Sequence, residues 1–356
     1  MLRPNGLIHL PLTRRAVRRP GCVGMSAAEV ARGEAWSATA LYFSERASSD
    51  DHAVPFDQWL VVTRGSGAVS IGDETSAVAV GDSVQLPGNA FHRYWTEGAE
   101  MDTLALVFQS VRGAEWVRVP DRAALARNAA ARFVQLSGDA IRERGRFSVA
   151  LSGGSTPREL YTLLATPEFA AQVDWARVHF FWGDERAVPP DSAASNFRMV
   201  EETLLSHVPV PSQNISRVLT EKEPARAALE YEQSVQTFFN GPIPDPLPRF
   251  DLILLGLGEN GHTASLFPHT AVLHNVHDWV AAEYIAEVNM YRVTLTAPVI
   301  NAARNILFLV AGPDKAATVR AVLQGESRPE DLPAQLIHPR DGDLVWLLDR
   351  EAASQL

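Results

Sequence analysis

Residues 250–268 read FDLILLGLGENGHTASLFP, an apolar run followed by a glycine-rich turn that carries His262. The run from Phe250 to Leu255 predicts a buried strand of a parallel sheet. Because the turn follows directly, it should lie at the carboxyl edge of that sheet, where α/β proteins bind their ligands. This stretch therefore places His262, a side chain of the type that titrates near neutral pH, in a candidate site. The alternative is a histidine that only begins a helix and has no functional role. The other turns that follow predicted strands decide between a structural and a functional histidine.

The rest of the chain after Arg112 alternates predicted strands and helices. Buried-strand patterns occupy residues 146–151, 178–182, 250–255, 291–295, 305–311 and 344–348, and helical spacing occupies 121–143, 196–207, 225–239 and 315–323. This alternation predicts an α/β domain with a mostly parallel sheet and helices on both faces. The proline-rich stretch 242–248 fits neither a helix nor a central strand and is interpreted as a loop within that domain.

Residues 36–110 have a different pattern, with short β-rich runs at 59–63, 68–71 and 103–108 between glycine-containing turns. Such runs predict an all-β sandwich or small barrel. We therefore divide the chain into a tail at 1–30, an all-β domain at 31–112 and the α/β domain at 113–356. The basic cluster at residues 14–19 is interpreted as a solvated tail or as preceding the true start, for which Met25 is another candidate.

Composition narrows the classes of function. The 356 residues carry a formal net charge of -10, which argues against a nucleic-acid partner because phosphate neutralisation needs clustered Lys and Arg. The chain shows neither an apolar run long enough to span a bilayer nor a signal-peptide core, so no membrane role is expected. The single cysteine, Cys22, excludes an internal disulfide and a cysteine-based zinc cluster. We therefore expect a cytoplasmic protein.

A second strand-to-helix turn is rich in small and hydroxyl residues. Ser152, Gly153, Gly154, Ser155 and Thr156 follow the predicted strand 146–151 and precede a helical pattern. Backbone N–H groups and hydroxyls at a helix start can hold an anion, and phosphate is the natural candidate. A tight turn with Thr156 as helix cap and Pro157 in the first helical position is equally compatible. A nucleotide P-loop is excluded because its lysine and longer spacing are absent.

Further charged residues follow other predicted strands. Asp184 and Arg186 come after the strand at 178–182, Lys315 comes after the strand at 305–311, and Arg292 lies near the start of the run 291–295. Each taken alone is compatible with an ordinary surface turn. Their convergence with His262 on one sheet edge favours a phosphorylated polar substrate.

Four segments, at residues 152–157, 182–196, 256–268 and 310–316, together resemble the 6-phosphogluconolactonase family in order and spacing. The resemblance covers roughly residues 115–356, and the stretch GHTASLFP is a specific motif. It implies hydrolysis of 6-phospho-D-glucono-1,5-lactone to 6-phosphogluconate in the oxidative pentose phosphate pathway, with no metal or organic cofactor. A phosphorylated sugar lactone is the expected partner.

The resemblance also implies roles for single residues. His262 is the expected general base, Arg186 and Lys315 match substrate-contacting positions, and Arg292 is a candidate for the phosphate. Asp184 should position Arg186 or the substrate. Many members carry Asp where this chain has Asn260, so a neutral amide must orient the imidazole here, and we expect a tuned rather than an inactive enzyme.

Other functions remain open. An amino-sugar phosphate isomerase/deaminase shares the expected fold, but in that relative an acidic residue follows the histidine by five positions, where this chain has Phe267. A non-catalytic sugar-phosphate-binding protein is a further alternative. A DNA-binding sugar-phosphate sensor would need a helix-turn-helix, whereas the first 115 residues are β-rich.

The all-β domain resembles a degenerate cupin barrel. Gly81 to Pro87 followed by His92 is similar to the second cupin motif, and His52 with Gln58 is similar to part of the first. Cupins commonly bind a metal through three histidines and a glutamate, but Val54 and Gln58 stand where two of those ligands are expected. His52, Gln58 and His92 are therefore weak metal candidates, and we expect a metal-free module used for dimerisation, small-ligand sensing or support of the catalytic domain. Four aromatic residues could line a pocket or form its core: Trp59, Phe91, Tyr94 and Trp95.

Overall fold

The computed structural model describes residues 17–18, 23–32, 37–49, 51–53, 58–86, 91–96, 103–109, 114–239, 247–339 and 342–356. The chain divides into two compact units, Met1–Val117 and Arg118–Leu356. In the described parts of the chain, no helix is long and apolar enough to cross a membrane.

The first unit is built from antiparallel strands. They are β1 (Val17–Arg18), β2 (Val23–Arg32), β3 (Ser37–Ser48), β4 (Asp51–Ala53), β5 (Gln58–Arg64), β6 (Ser66–Ile71), β7 (Glu74–Ala79), β8 (Ser83–Leu86), β9 (His92–Trp95) and β10 (Thr103–Gln109). Strand β10 pairs with β3 and β5, β5 also pairs with β8, and β6 lies between β7 and β9. The core includes the following residues: Leu41, Leu60, Val62, Val69, Val78, Leu86 and Tyr94.

Two details of this unit differ from the sequence predictions. Residues 1–30 were assigned to a tail, yet β2 lies largely within them, because it pairs along most of its length with β3. Trp59 was considered a pocket or core residue, but it is 47% exposed, because β5 alternates and Trp59 falls on its outer face. Phe91 and Tyr94 are buried, as a core role requires.

Strand β11 (Glu115–Val119) spans the division between the units, and the second unit continues with alternating helices and strands. These are α1 (Arg122–Arg144), β12 (Phe147–Leu151), α2 (Ser155–Leu164), α3 (Pro167–Ala170), β13 (Val178–Trp182), β14 (Asp184–Arg186), α4 (Asn196–Thr203), α5 (Pro224–Phe239), β15 (Leu252–Leu255), β16 (Val280–Ile285), β17 (Met290–Leu295), α6 (Ala297–Asn301), β18 (Asn305–Val310), α7 (Ala316–Gln324) and β19 (Asp343–Asp349).

The main sheet of this unit is parallel, as predicted. Its order is β13-β12-β15-β18-β19, with each of these neighbouring pairs parallel, and β11 adds a sixth strand beside β19. Every residue of β12 and β15 is buried, so both faces of the sheet centre are covered. Helix α1, which packs on β12 and β19, begins where Asp121 accepts a hydrogen bond from the Ala124 N–H and ends at Gly145 with φ 77°.

Two element boundaries differ from the predictions. Strand β15 begins at Leu252, and the Asp251 carboxylate just before it accepts hydrogen bonds from the backbone N–H and the hydroxyl of Ser148. The helix predicted over 196–207 ends at Thr203, where a 3₁₀ turn takes over. Of the predicted loop 242–248, residues 242–246 lie outside the described residues, and the remainder is irregular.

The run 291–295 was predicted as one more strand of the parallel sheet, and this was wrong. It forms β17 of a second, antiparallel sheet in the order β14-β17-β16. A tight turn joins β16 to β17, with Asn289 in the left-handed region at φ 49°, and so short a connection can only produce an antiparallel pair. The small sheet carries Arg186 and Arg292 on adjacent strands.

Candidate active site

Four adjacent strands of the parallel sheet end at the same edge. Their order is β13, β12, β15 and β18, and each is followed by one of the turns singled out in the sequence. Because the strands run parallel, these turns must gather at the carboxyl edge of the sheet. The chain topology therefore brings His262, Asp184, Lys315 and the turn at 152–156 into one region.

The loop after β15 is held closed by its own backbone. The Gly258 N–H donates to the His262 carbonyl at 2.8 Å, and the Gly261 N–H donates to the Gly258 carbonyl at 3.0 Å. The Thr263 hydroxyl donates to the Gly256 carbonyl at 2.9 Å. Gly261 has φ 79°, a conformation that suits glycine. The loop thus presents the imidazole of His262 from a fixed backbone.

The His262 ring has contacts that fix its orientation. It stacks on Phe267, with ring centroids 3.9 Å apart and an angle of 12° between the planes. Its Nδ1 lies 2.6 Å from Oδ1 of Asn260, and Nδ2 of Asn260 donates to the Glu287 carboxylate at 2.8 Å. Because a carboxylate only accepts, the amide must turn its oxygen toward the ring, so we assign the proton to Nδ1. The Nε2 lone pair of the neutral ring is then available as a base.

Burial lowers the pKa of His262 to about 4. Asp184 and Glu287 act against this shift by favouring the imidazolium, whereas the nearby cations Arg292 and Lys315 reinforce it. The ring is therefore neutral at pH 7, as a general base requires.

Gly258 makes room for the histidine. A Cβ at this position would lie 2.0 Å from Nδ1 of His262, so Gly258→Ala must displace the ring. Because a misplacement of about 1 Å can cost about 10²-fold in rate, we expect a loss of that order in kcat. Gly256→Ala is the matched control, since its Cβ would meet nothing within 4 Å. Steady-state kinetics of both variants test this, and equal activities would show that the ring position does not matter.

Arg186 and Arg292 are directly opposite each other in the β14–β17 pair. Nη1 of Arg186 donates to Oδ1 of Asn196 at 2.5 Å and to the Ala194 carbonyl at 3.0 Å. The Nε atoms of both arginines are buried and have no hydrogen-bond partner among the described residues. Burial lowers the pKa of Arg292, and Asp184 opposes this shift while Arg186 adds to it. The positive charges of these two adjacent, half-buried guanidiniums would be stabilised by a bound anion, so the pair is a candidate anion-binding site.

Asn196 contacts two of the candidate site residues, although the sequence analysis did not assign it to the site. Its Oδ1 holds Arg186, and its Nδ2 donates to the Asp184 carbonyl at 2.9 Å. A Cβ on Gly153 would lie 1.9 Å from Oδ1 of Asn196, so Gly153 admits this side chain. The signal in the sequence is the pair Ser195-Asn196 at the start of the predicted helix 196–207, at the end of the segment 182–196 that carries part of the family resemblance.

The two carboxylates after β13 have different environments. Asp184 is buried and accepts a hydrogen bond from the Ser265 hydroxyl at 2.7 Å. The sequence predicts that Asp184 positions Arg186 or the substrate. In the structure, the backbone carbonyl of Asp184 is connected to Arg186 through the side chain of Asn196. Glu185 is 1% exposed and accepts from the N–H groups of Asn196 and Phe197 at 2.8 and 2.7 Å, so it satisfies two N–H groups in the first turn of helix α4, whose N-cap residue is Ser195.

The turn at 152–156 leaves a helix start without a side-chain cap. Helix α2 begins at Ser155, and Gly154, with φ 106°, occupies the cap position. Thr156 is therefore not the cap residue, contrary to one of the two interpretations of the sequence. Gly154 occupies the cap position with a positive φ, a conformation that favours glycine. The Ser152 hydroxyl is buried with no hydrogen-bond partner among the described residues. N–H groups at such a helix start can bind an anion.

Lys315 lies on the loop after β18, the strand next to β15. Its Nζ is 3.1 Å from the Asp314 carboxylate and 3.7 Å from that of Glu259. The Thr318 hydroxyl donates to the Glu259 carbonyl at 2.7 Å and so connects this segment to the histidine loop. Lys315 therefore lies in the same candidate site as His262.

The metal candidates of the first unit are only partly placed together. His52 and His92 are register partners on β4 and β9, and Gln58 begins β5 opposite Leu86. His92 and Gln58 are buried. Within the described residues, no group of three or more His, Cys, Asp or Glu side chains could hold a metal ion. Val54, which stands where the cupin resemblance expects a histidine ligand, lies outside the described residues. The absence of a metal from this unit stays a prediction.

Comparison with known proteins agrees with this geometry. A family model described as glucosamine-6-phosphate isomerases/6-phosphogluconolactonase matches residues 120–346. A 6-phosphogluconolactonase of Nostoc sp. is 41% identical over 239 residues, which are 67% of this chain and 96% of that protein. One of Synechocystis sp. is 43% identical over 221 residues, 61% of this chain and 88% of that protein. The solved 6-phosphogluconolactonase of Trypanosoma cruzi has 28% identity and a TM-score of 0.61, covering 68% of this chain and 96% of its own. The chain therefore belongs to the glucosamine-6-phosphate isomerase/6-phosphogluconolactonase family.

Proposed function

We propose that the protein hydrolyses 6-phospho-D-glucono-1,5-lactone to 6-phospho-D-gluconate, the second step of the oxidative pentose phosphate pathway. The observation that carries this proposal is the neutral His262 near the Arg186–Arg292 pair, with Arg292 close enough to help lower the His262 pKa. A base for water and a site for a phosphate are what this reaction needs. The identity of 41% to a 6-phosphogluconolactonase that the chain matches over 96% of its length supports the same activity.

In the proposed reaction, Nε2 of His262 takes a proton from water as the water oxygen attacks the lactone carbonyl carbon. The tetrahedral intermediate then expels the ring oxygen, which receives that proton from the imidazolium and becomes the 5-hydroxyl of the product. The new carboxyl group carries the second proton of the water and releases it to solvent at neutral pH, so water is the only other reactant. Asp184 and Glu287 favour the transient imidazolium electrostatically.

The cations have separate proposed roles. Arg186 and Arg292 hold the phosphate, because they are adjacent and Asn196 fixes one of them. Lys315, on the segment tied to the histidine loop, supplies positive charge near the developing oxyanion. The helix start at Ser155 and the Ser152 hydroxyl offer further donors to the sugar or the phosphate.

The deaminase alternative is disfavoured by Phe267. The resemblance implies that an acidic side chain at this position assists ring opening in the deaminase, whereas here an apolar ring stacks on His262. A phenyl ring cannot carry a proton. A sugar-phosphate-binding protein without activity would not need a base with its lone pair kept available.

Three substrates separate these functions. We expect rapid loss of freshly made 6-phosphogluconolactone, slower loss of unphosphorylated gluconolactone because the arginine pair is unused, and no ammonia release from glucosamine 6-phosphate. Ammonia release would instead establish the deaminase. Binding of 6-phosphogluconate without lactone hydrolysis above the spontaneous rate would establish a binding protein.

The lowered pKa of His262 predicts an unusual pH dependence. A general base works only when neutral, so activity should persist from pH 7 to about pH 5 and fall as the ring is protonated near pH 4. A profile of kcat/KM against pH, corrected for spontaneous hydrolysis, measures this. The Asn260→Asp variant is the internal comparison, because an added carboxylate raises the histidine pKa and should move the acid limb to higher pH. A wild-type limb near pH 6.5 that the variant does not move would contradict the assignment.

The first unit is proposed to be a degenerate, metal-free cupin-like module that supports a dimer or senses a small ligand. Its antiparallel strands and the opposed His52 and His92 support the likeness. We further propose that this domain begins by Val23, where β2 starts, and that the α/β domain begins near residue 113. A cytoplasmic location without nucleic-acid partners is proposed from the single Cys22 and the charge of -10.

A further inference from the structure

We propose that Glu287 is a positioning residue for catalysis, acting through Asn260 on His262 and supplying the carboxylate that Asn260 lacks. This inference rests on the proposed function, since it assigns a role within the same site. The observation behind it is the continuous chain of contacts from Oε2 of Glu287 to Nδ2 of Asn260 at 2.8 Å, and from Oδ1 of Asn260 to Nδ1 of His262 at 2.6 Å.

An asparagine next to a catalytic histidine has an orientation problem. Its amide can present either the oxygen or the NH₂ group to the ring, and the two choices select opposite tautomers. With the NH₂ group toward the ring, Nδ1 would accept, the proton would move to Nε2, and Nε2 would lose its basic lone pair. Something must hold the amide in the other orientation.

Glu287 does this because a carboxylate accepts and cannot donate. It engages Nδ2 of Asn260, so Oδ1 is left facing the imidazole. The backbone N–H of His262 also donates to Oδ1 at 3.2 Å, which reinforces the same orientation. An amide that is hydrogen-bonded to an anion is also a stronger acceptor. The Glu287 carboxylate therefore strengthens the hydrogen bond between Oδ1 of Asn260 and Nδ1 of His262.

The position of Glu287 connects this contact to the phosphate site. Glu287 lies on the 3₁₀ turn Ala286–Val288 between β16 and β17, and β17 continues to Arg292. The turn is completed by Asn289 in the left-handed conformation at φ 49°. Although Glu287 is exposed, its contact partners Asn260 and His262 are half-buried. One hairpin therefore carries both a phosphate ligand and the residue that orients the base.

A double-mutant cycle with Asn260→Asp tests the inference. In the native background, Glu287→Ala frees the amide, and we expect kcat to fall about tenfold, a fraction of what a general base contributes, with KM unchanged. Glu287→Gln should lose less, because its Oε1 still accepts from Asn260. An aspartate at 260 presents acceptors on both oxygens, so in that background Glu287→Ala should cause no loss, or a gain from relieved repulsion. Glu326→Ala, which removes another exposed carboxylate, is the charge-matched control.

The tautomer itself gives a readout that does not depend on activity. Nitrogen-15 NMR of His262 at neutral pH should show the Nδ1–H form in the native protein and a mixture in Glu287→Ala. An equal loss of kcat in both backgrounds, or an unchanged tautomer in Glu287→Ala, would overturn the inference. If the native protein failed to hydrolyse the lactone but Glu287→Ala still shifted the tautomer, the proposed function would fail while the positioning role would stand.

Discussion

Replacement of His262 by alanine is expected to lower kcat for 6-phosphogluconolactone by about 10²- to 10⁴-fold, the usual contribution of a general base, with little change in KM. The reason is specific to this site. The ring is neutral at pH 7 because its pKa is lowered to about 4, and its Nδ1 is engaged by Asn260, so the proton-accepting atom is Nε2. Alanine leaves the arginine pair intact and removes only the base.

Two comparisons make this result interpretable. His262→Gln keeps a polar group of similar reach without basicity, so it should be as slow as alanine. Binding of 6-phosphogluconate to each variant, measured by calorimetry, should stay near the native value and thereby report an intact site. A glutamine variant with more than a tenth of native kcat would show that His262 positions the substrate rather than accepting a proton.

The second large effect is expected at the arginine pair. Loss of a charge-assisted hydrogen bond costs about 1.5 to 3 kcal/mol, so Arg292→Met should raise KM for the phosphorylated lactone about 10- to 100-fold. The effect on kcat should be smaller, because the phosphate lies away from the reacting carbonyl. Arg186→Met should act similarly, with the added consequence that Oδ1 of Asn196 loses the hydrogen bond from Arg186.

The unphosphorylated lactone provides the control substrate. It has no group for the arginine pair, so Arg292→Met should leave its hydrolysis nearly unchanged. Arg320→Met, which removes an exposed arginine from α7, should leave both substrates unaffected. An equal loss of activity on both lactones in Arg292→Met would place this arginine elsewhere than at the phosphate.

Sequence patterns predicted the parallel sheet well, for physical reasons visible in single elements. The predicted strand 178–182 coincides with β13, and the predicted helix 121–143 agrees with α1 to within one residue at each end. Buried parallel strands read as uninterrupted apolar runs, and α1 has both a capping Asp121 and a terminal Gly145. The turns that follow such strands could therefore be assigned to one edge without coordinates.

What the sequence missed depends on contacts between distant segments. Arg292 could be suspected of binding phosphate, but its antiparallel pairing with Arg186 joins β14 to β17, two strands that are far apart in the sequence. Glu287 lies on the turn between β16 and β17 and contacts Asn260 from 27 residues away. The Asn196 side chain occupies space that a Cβ on Gly153 would fill. No local sequence pattern predicts a steric contact of this kind. Thr156 was one candidate for the cap of α2 because threonine is a common cap residue, whereas Gly154 occupies the cap position.

The most direct test of the proposed function is the rate at which the 356-residue chain consumes freshly generated 6-phosphogluconolactone, measured above spontaneous hydrolysis beside His262→Ala. We expect a native rate far above the spontaneous one and a variant rate lower by about 10²-fold or more. A native rate equal to spontaneous hydrolysis, or a variant as fast as the native protein, would contradict it.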